Sequence, residues 1–495
     1  MRSILLLGIS GLLAACASAP PPPHHDVLIR DGLVFDGSGA PGQRLDVAID
    51  GDRISALLPP GSPATADRII DAQGQYVAPG FINVLSWATE SLLLDGRGQS
   101  DLLQGVTLEI FGEGWSMGPL NERMKADALK LQGDFKFEID WTTLGEYLET
   151  LERRGVSPNV ASFVGATTVR IHVLGEADVQ PDAQQLAQMR ALVDAAMREG
   201  ALGVGASLIY PPAFYAQPAE LVALARTAAR HGGGYIVHQR SEADRLLEAV
   251  DETINVARET GQRAEAYHLK AAGRANWPKM AQAIAAIEAA RNEGLAVSAN
   301  MYAYTAGATG LTASLPPWTR DGGHDALMAR LADPAERAKI LDQMRAPADG
   351  WENLYHHAGS PERVRLIGFK NDALKPLTGK TLAEVMALRG SDSAEDTILD
   401  LIAEDDSRVD AAYELMSEDN VELGLRQPWV SLGSDAEASS PEGLFLLSST
   451  HPRAYGNVAR FLGHYVRERQ LLGWPEAIHR LTGLPAENWK LVDRG

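Results

Sequence analysis

The chain has 495 residues, 45% of them hydrophobic and 22% charged, a composition typical of a globular protein with a large core. Its formal net charge of −20 excludes a strongly basic surface of the kind that binds nucleic acid or an anionic membrane. We therefore expect no nucleic-acid partner.

The N-terminus has the pattern of a bacterial lipoprotein signal. A basic residue precedes an apolar run that is too short to span a membrane and ends in Leu-Ala-Ala before Cys16, the only cysteine. This resembles a lipobox, whose cysteine is lipidated after cleavage, although an ordinary signal peptide with a chance cysteine is the alternative. We predict a signal peptide over residues 1–15 and a proline-rich tether over 16–25. Because Ala17 follows the cysteine, we expect a periplasm-facing outer-membrane lipoprotein that contacts the membrane only through its lipid.

Two kinds of sheet follow the tether. Residues 26–80 alternate apolar residues with Asp-Gly turns, which predicts a small, sandwich-like antiparallel β domain. Beyond it, short apolar segments alternate with helical ones, and eight of the apolar segments read as parallel strands. These are Phe81 to Leu85, Thr107 to Phe111, Val160 to Val164, Leu202 to Ala206, Tyr235 to His238, Ala264 to His268, Val297 to Tyr302 and Trp429 to Gly433. The pattern predicts the α/β class, with a (β/α)8 TIM-like barrel over residues 81–316 that is completed by 426–495.

A long interval separates the seventh predicted strand from the eighth. Residues 317–425 are far more than a strand-to-helix loop requires, and they contain several helical patterns. We therefore predict an inserted helical lid over the C-terminal face of the barrel.

Two histidines end two successive predicted strands. His238 closes Gly-Tyr-Ile-Val-His, and His268 closes Ala-Glu-Ala-Tyr-His thirty residues later. The helical pattern between them can be capped by Ser241 and ended by Gly261. Parallel strands bring their C-terminal ends to one face of a sheet, so the imidazoles can converge on a metal ion. An isolated buried histidine is more often a core residue, so the inference depends on the pair.

Seven short motifs, in chain order, resemble the amidohydrolase superfamily and, within it, the D-aminoacylases (N-acyl-D-amino-acid deacylases). They are Asp26-Val-Leu-Ile-Arg-Asp-Gly, Val77-Ala-Pro-Gly-Phe-Ile, His238-Gln-Arg-Ser-Glu, His268-Leu-Lys, Tyr302-Ala-Tyr-Thr-Ala-Gly, Gly433-Ser-Asp and His451-Pro-Arg-Ala-Tyr-Gly. The resemblance implies a metal-dependent hydrolase of carbon–nitrogen bonds other than peptide bonds, whose partner is a small N-acyl amino acid.

The chain departs from the family pattern at three places, one of which is Gly165-Ala166-Thr167-Thr168, where many relatives have Gly-His-Gly-Thr. The other two concern the metal ligands. The family carries Asp-Val-His-x-His after the first strand, whose histidines hold one metal ion, whereas this chain has Leu85 and Trp87 at those positions. The family carries a cysteine ligand after the second strand, where this chain has Glu113. The resemblance therefore implies a mononuclear site in which Glu113, His238 and His268 hold one Zn²⁺ per chain. Leu85 and Trp87 would fill the space of the second metal. The alternatives are a solvated loop carboxylate at Glu113 and a simple loss of function.

The resemblance also implies roles for five other residues. Bound Zn²⁺ can lower the pKa of a water to about 7, so that metal-bound hydroxide attacks the amide. Asp435 would act as general base and then acid, unless it is only a turn aspartate. Tyr304 would hydrogen-bond the developing oxyanion, with Tyr302 as the alternate and a substrate contact. Lys270 and Arg453 would bind the substrate carboxylate.

Three functional hypotheses remain open at this point. The first is deacylation of N-acyl-D-amino acids. The second keeps the chemistry but acts on a dipeptide or cyclic amide. The third is a catalytically inactive envelope-binding lipoprotein, which the retained histidines and Asp435 disfavour.

Relatives continue with further β strands where this chain stops at Gly495, so we expect an exposed strand edge on the N-terminal β domain.

Overall fold

The computed structural model describes residues 22–494, which divide into two compact units. The first comprises residues 22–36 and 41–78, and the second comprises residues 37–40 and 79–494. The predicted signal peptide, Cys16 and most of the predicted tether lie outside the described residues. Within 22–494 the structure shows no helix both long and apolar enough to cross a membrane.

The first unit is a mixed five-stranded sheet. Its strands are β1 (His24–Val34), β2 (Gln43–Asp50), β3 (Arg53–Leu58), β4 (Thr65–Asp71) and β5 (Tyr76–Val77). The order is β3-β2-β1-β4, and β1 is antiparallel to β2 but parallel to β4 and β5. The predicted all-antiparallel arrangement is therefore wrong, because the connection from β3 to β4 crosses the sheet and places β4 parallel to β1.

The start of this sheet corrects the predicted tether as well. His24 and His25 belong to β1 and pair with Thr65 and Ala66 of β4, so the tether prediction extends two residues too far. At the sheet edges, Ile54 of β3 and Ile69 of β4 are 62% and 53% exposed. Whether such an edge pairs with another chain stays a prediction.

The second unit is built on a (β/α)8 barrel, and all eight predicted strands occur with bounds within two residues of those expected. They are β6 (Phe81–Asn83), β7 (Val106–Phe111), β8 (Asn159–Ser162) continued by β9 (Val164–Gly165), β10 (Gly203–Ser207), β11 (Gly234–His238), β12 (Ala264–Ala266), β13 (Val297–Met301) and the last barrel strand, Val430–Leu432. Neighbouring strands pair in parallel. A parallel bridge between Ser86 and Ala436 joins the first strand to the last and closes the barrel.

Helices follow the barrel strands. They span Ser91–Leu94, Gln99–Leu102, Glu122–Leu131, Leu144–Arg154, Ala166–Leu174, Ala183–Arg198, Pro218–Ala229, Leu246–Thr260, Lys279–Asn292, Arg453–Arg460, Trp474–Leu481 and Gly483–Trp489, with a π-helix at Phe461–Glu468. The helix after His238 ends at Gly261, as predicted. It begins at Leu246, so the predicted Ser241 cap is wrong. The Ser241 hydroxyl instead donates to the Glu352 carboxylate, which also binds the backbone N–H groups of the loop.

The insertion between the seventh and eighth strands contains a sheet besides its helices. Strands β14 (Ala306–Gly310), β15 (Val364–Gly368) and β16 (Asp410–Glu414) pair antiparallel in the order β14-β16-β15. The helices are His324–Ala332, Pro334–Arg345, Leu354–Ala358, Leu382–Arg389, Ala394–Asp405 and Glu418–Leu425. The predicted helices of the insertion are present, and the sheet is an addition that the sequence did not predict. Ala306-Gly-Ala-Thr-Gly has few of the β-branched and aromatic residues that indicate a strand.

A pair of carboxyl groups is buried inside the barrel, away from the histidines. Glu109 of β7 is fully buried, accepts a hydrogen bond from Asn83 Nδ2 at 2.9 Å and is hydrogen-bonded to Asp101. Burial raises the pKa of Glu109 to about 7, and burial and the neighbouring Glu109 raise the pKa of Asp101. A carboxyl group whose pKa is raised in the folded state binds more protons there than in the unfolded state.

We expect Glu109→Gln to remove a pH-dependent loss of stability. In the wild type, protonated Glu109 contributes to the free energy of unfolding below its unfolded-state pKa near 4.5, and this contribution is lost as pH rises through its folded-state pKa of about 7. The variant should therefore melt about 2 °C or more above wild type at pH 8, with a smaller difference at pH 5. Thermal denaturation of both proteins at the two pH values measures this. An equal shift at both pH values would contradict it.

Candidate metal centre and active site

The ends of the fifth and sixth barrel strands bring two imidazoles together. His238 is the last residue of β11, His268 lies two residues beyond β12, and their ring centroids are 4.5 Å apart. His268 has a φ of +35°, in the left-handed region that a non-glycine residue seldom adopts. Its backbone N–H donates to Asn300 Oδ1 at 2.9 Å, which holds this turn. Strain of this kind is concentrated at functional sites.

Glu113 follows β7 in a turn between two glycines. Gly112 and Gly114 have φ values of +109° and +74°, and a side chain at Gly112 would clash with the carbonyl oxygen of Phe163. The turn directs the Glu113 carboxylate inward, where it is buried. Its Oε1 lies 2.9 Å from His238 Nδ1 and 2.8 Å from His268 Nε2. Glu113 is therefore not a solvated loop carboxylate.

These three side chains have the donor set of a catalytic zinc site. Glu113, His238 and His268 each offer one ligand atom, and the three atoms lie within 4.8 Å of one another. Tetrahedral zinc with bonds of 2.0–2.1 Å needs ligand atoms about 3.4 Å apart. The hydrogen-bonded contacts would have to open by about half an ångström. Two imidazoles and a carboxylate, all buried, fit a zinc ion that keeps a fourth position for water.

Electrostatic interactions favour the charged forms of Glu113 and His268. Burial acts to raise the pKa of Glu113, but the charges and hydrogen bonds of His268 and His238 hold it well below its usual range. Burial and Lys270 act to lower the pKa of His268, yet the carboxylates of Glu242 and Glu113 raise it to about 9. A metal ion at this site must therefore displace a proton from His268.

Glu242 contacts the candidate ligand His268 at the ring nitrogen opposite the one that faces Glu113. Its Oε1 lies 2.8 Å from His268 Nδ1 and accepts a hydrogen bond from Lys270 Nζ at 2.6 Å. A carboxylate behind a metal-binding imidazole sets the ring tautomer and orientation. Glu242 was not among the residues predicted from the sequence, although its place four residues after His238 was a signal. Lys270, predicted to bind substrate, is instead engaged with Glu242.

Asp435 stands at the end of the last barrel strand, again with a left-handed φ of +52°. Its Oδ2 lies 2.7 Å from Arg453 Nη1, and its Oδ1 accepts a hydrogen bond from Trp87 Nε1 at 3.2 Å. Burial raises the pKa of Asp435, and the Arg453 guanidinium opposes that rise. The structure thus pairs the predicted general base with the arginine that was predicted to bind the substrate carboxylate.

The two residues at the positions of the family histidines lie in different surroundings. Leu85 is buried in the barrel interior, in an apolar cluster that includes Ile110 and Tyr267. Trp87 faces the site, where its Nε1 also donates to Glu113 Oε2 at 2.8 Å. One indole therefore connects the candidate metal ligands to Asp435.

Of the two predicted tyrosines, the structure brings only Tyr302 into this constellation. The Tyr302 ring lies 4.7 Å from the Arg453 guanidinium carbon, and its buried hydroxyl has no hydrogen-bond partner in the described part of the chain. Tyr304 lies beneath Arg460, and its hydroxyl occupies the space that a side chain at Gly456 would need. Tyr304 is therefore poorly placed to stabilise an oxyanion at the metal group.

A (β/α)8 barrel with this constellation at the C-terminal ends of its strands defines an amidohydrolase. None of the known protein-family models matches the chain. The N-acyl-D-glutamate deacylase of Alcaligenes xylosoxydans xylosoxydans is 32% identical over 485 residues, which cover 95% of this chain and 84% of that protein. The D-aminoacylase of the same organism is 30% identical over 476 residues, covering 95% and 85% of the two chains.

A solved structure gives the same result. The N-acyl-D-glutamate deacylase of Bordetella bronchiseptica, complexed with zinc and a phosphonate inhibitor that mimics the tetrahedral intermediate, superposes with a TM-score of 0.77 at 28% identity. The match covers 95% of this chain and 87% of that one. The chain belongs to the D-aminoacylase family of amidohydrolases, hydrolases of carbon–nitrogen bonds other than peptide bonds. The resemblance drawn from the sequence motifs is confirmed.

Proposed function

We propose that the chain is a zinc-dependent N-acyl-D-amino-acid deacylase that holds one zinc ion. The observation that carries the proposal is the buried group of Glu113, His238 and His268, connected through Trp87 to Asp435. The relatives support the substrate class, since those described above deacylate N-acyl-D-glutamate or are D-aminoacylases.

Glu113, His238 and His268 would hold the zinc ion. A zinc ion, when bound, lowers the pKa of a water molecule to near neutral pH and itself polarises the substrate carbonyl. Glu242 Oε1 and Lys270 Nζ lie 2.8 and 2.7 Å from His268 Nδ1, so that nitrogen is already engaged and Nε2 is the one that would serve as the ligand atom. Lys270 balances the charge of Glu242.

Asp435 would transfer the proton. It accepts a proton from the attacking water as the carbon–oxygen bond forms, and it donates that proton to the amide nitrogen as the carbon–nitrogen bond breaks. The products are a carboxylic acid and a free D-amino acid. We assign the substrate carboxylate to Arg453 rather than Lys270. Arg453 pairs with Asp435 through Nη1, but its buried Nε has no hydrogen-bond partner in the described part of the chain, whereas Lys270 Nζ is engaged with Glu242.

The test is release of free amino acid from N-acetyl-D-methionine, N-acetyl-D-glutamate and N-acetyl-D-aspartate, each beside its L form. We expect zinc-dependent release from at least one D substrate, its loss after chelation, and recovery on adding zinc back. Release only from dipeptides or cyclic amides would favour the second hypothesis. Stoichiometric zinc with no release from any of these substrates would overturn the proposed function.

Tyr302 and Tyr304 offer a matched pair of variants. We expect Tyr302→Phe to lower kcat by about 10²-fold, because its ring lies against Arg453, its buried hydroxyl has no hydrogen-bond partner in the described part of the chain, and a lost oxyanion donor has an effect of this size. Tyr304→Phe should change kcat less than threefold. Steady-state kinetics on the same D substrate compares them, and a larger loss in Tyr304→Phe would reverse the assignment.

We also propose that the protein is anchored in the cell envelope through a lipid on Cys16. The support is the sequence pattern around Cys16, with Ala17 as the next residue. Metabolic labelling with an alkynyl fatty acid should mark the protein and place it in the outer-membrane fraction. Cys16→Ala should lose both the label and the membrane association. A labelled Cys16→Ala protein, or an unlabelled wild type, would contradict this proposal.

A further inference from the structure

We propose that Trp87 is a positioning residue that takes the place of a second cation, because its indole N–H bridges Glu113 and Asp435 and limits the centre to one metal ion. The inference rests on the proposed function and deepens it.

The indole nitrogen lies between two carboxylates that would otherwise repel each other. Trp87 Nε1 donates to Glu113 Oε2 at 2.8 Å and to Asp435 Oδ1 at 3.2 Å. The other oxygen of each carboxylate is engaged elsewhere, Glu113 Oε1 with both imidazoles and Asp435 Oδ2 with Arg453. The remaining oxygen of each carboxylate therefore has Trp87 Nε1 as its hydrogen-bond donor.

The closure of the barrel holds this bridge in place. Trp87 N donates to Ala436 O at 2.9 Å, and Asp435 N donates to Leu85 O at 2.9 Å. These two bonds flank the Ser86–Ala436 bridge between the first and last strands. The same backbone pairing therefore places the residue that donates and one of the two residues that accept.

The indole of Trp87 cannot act as a metal ligand. An indole N–H donates one proton and offers no lone pair to a metal ion. It can order two carboxylates, but it cannot add a ligand or a charge. A histidine at position 87 would offer a ring nitrogen to an ion beside the two freed carboxylate oxygens.

Cobalt titration of the metal-free protein tests the inference without a substrate. Binding is measured by equilibrium dialysis and by the visible absorption of Co²⁺, which responds to coordination geometry. We expect wild type to saturate at about one equivalent, since it has one set of ligands. Trp87→His and the double variant Leu85→His/Trp87→His should saturate at about two. Two equivalents in wild type, or one in both histidine variants, would overturn the inference.

Trp87→Phe removes the N–H donor and keeps an aromatic ring. We expect it to bind one equivalent of cobalt and to lose about tenfold in kcat, the effect of one hydrogen bond to a charged group, with little change in KM. The matched control is Trp141→Phe, which loses a buried indole hydrogen bond to Met117 O at 2.6 Å outside the site. An unchanged kcat in Trp87→Phe, or an equal loss in Trp141→Phe, would show that Trp87 only fills space.

The two proposals fail in different ways. If wild type binds one equivalent of cobalt and Trp87→His binds two, but no amide is hydrolysed, the role of Trp87 stands and the proposed function fails. If wild type hydrolyses N-acyl-D-amino acids while binding two equivalents, the proposed function stands without its single-ion feature, and the role of Trp87 fails.

Discussion

Glu113→Gln is expected to lose zinc and, with it, hydrolysis. The neutral amide is a weak ligand, and it removes the negative charge that faces two imidazoles across 2.8 and 2.9 Å. Losing a group that only hydrogen-bonds to a metal ligand weakens metal affinity 10–100-fold, so losing the ligand itself should weaken it by more than about 100-fold. Metal analysis after gel filtration and kcat/KM on the best D substrate measure the two effects.

Glu109→Gln is the matched control for this experiment. It makes the same chemical change on the same segment of chain, but its carboxyl group bonds Asn83 and Asp101 instead of the histidines. We expect it to keep zinc and activity. A Glu113→Gln protein that retains one zinc ion and full activity would remove Glu113 from the metal centre.

Asp435→Asn should separate proton transfer from metal binding. The amide cannot accept a proton from water or donate one to the departing nitrogen, and such transfer contributes about 10²–10⁴-fold to a rate. We therefore expect kcat to fall by that factor while about one zinc ion stays bound. Metal analysis and steady-state kinetics on one preparation give both values.

Asp46→Asn serves as the control for Asp435→Asn, because Asp46 is a buried aspartate in the N-terminal sheet. It should leave kcat unchanged. Loss of zinc in Asp435→Asn would make Asp435 a metal ligand, and an unchanged kcat would exclude it as the proton carrier.

The order of the site along the chain could be predicted because its signals are local. Apolar runs separated by helical patterns identified all eight barrel strands, and His238 and His268 stand at the ends of two of them. Glu113 was found through the motif in which it replaces a cysteine, and its flanking glycines are the local reason that the carboxylate points inward.

Side-chain partners beyond the strand ends could not be predicted. Strand β13 ends at Met301, so alternation no longer tells which way Tyr302 and Tyr304 point. Lys270 and Glu242 carry opposite charges, but only the fold places Nζ 2.6 Å from the carboxylate. The β14–β16 pairing joins segments about 100 residues apart, and no local pattern in Ala306-Gly-Ala-Thr-Gly predicts a strand there.

By itself, the sequence determined the barrel, the family and the three candidate metal ligands, because hydrophobic period and motif order are properties of neighbouring residues. Only the tertiary structure decided that Trp87 joins Glu113 to Asp435 and that Arg453 pairs with Asp435. Those contacts connect residues up to 348 positions apart. Their geometry depends on how the first and last strands pair to close the barrel, and the local sequence pattern does not predict that pairing.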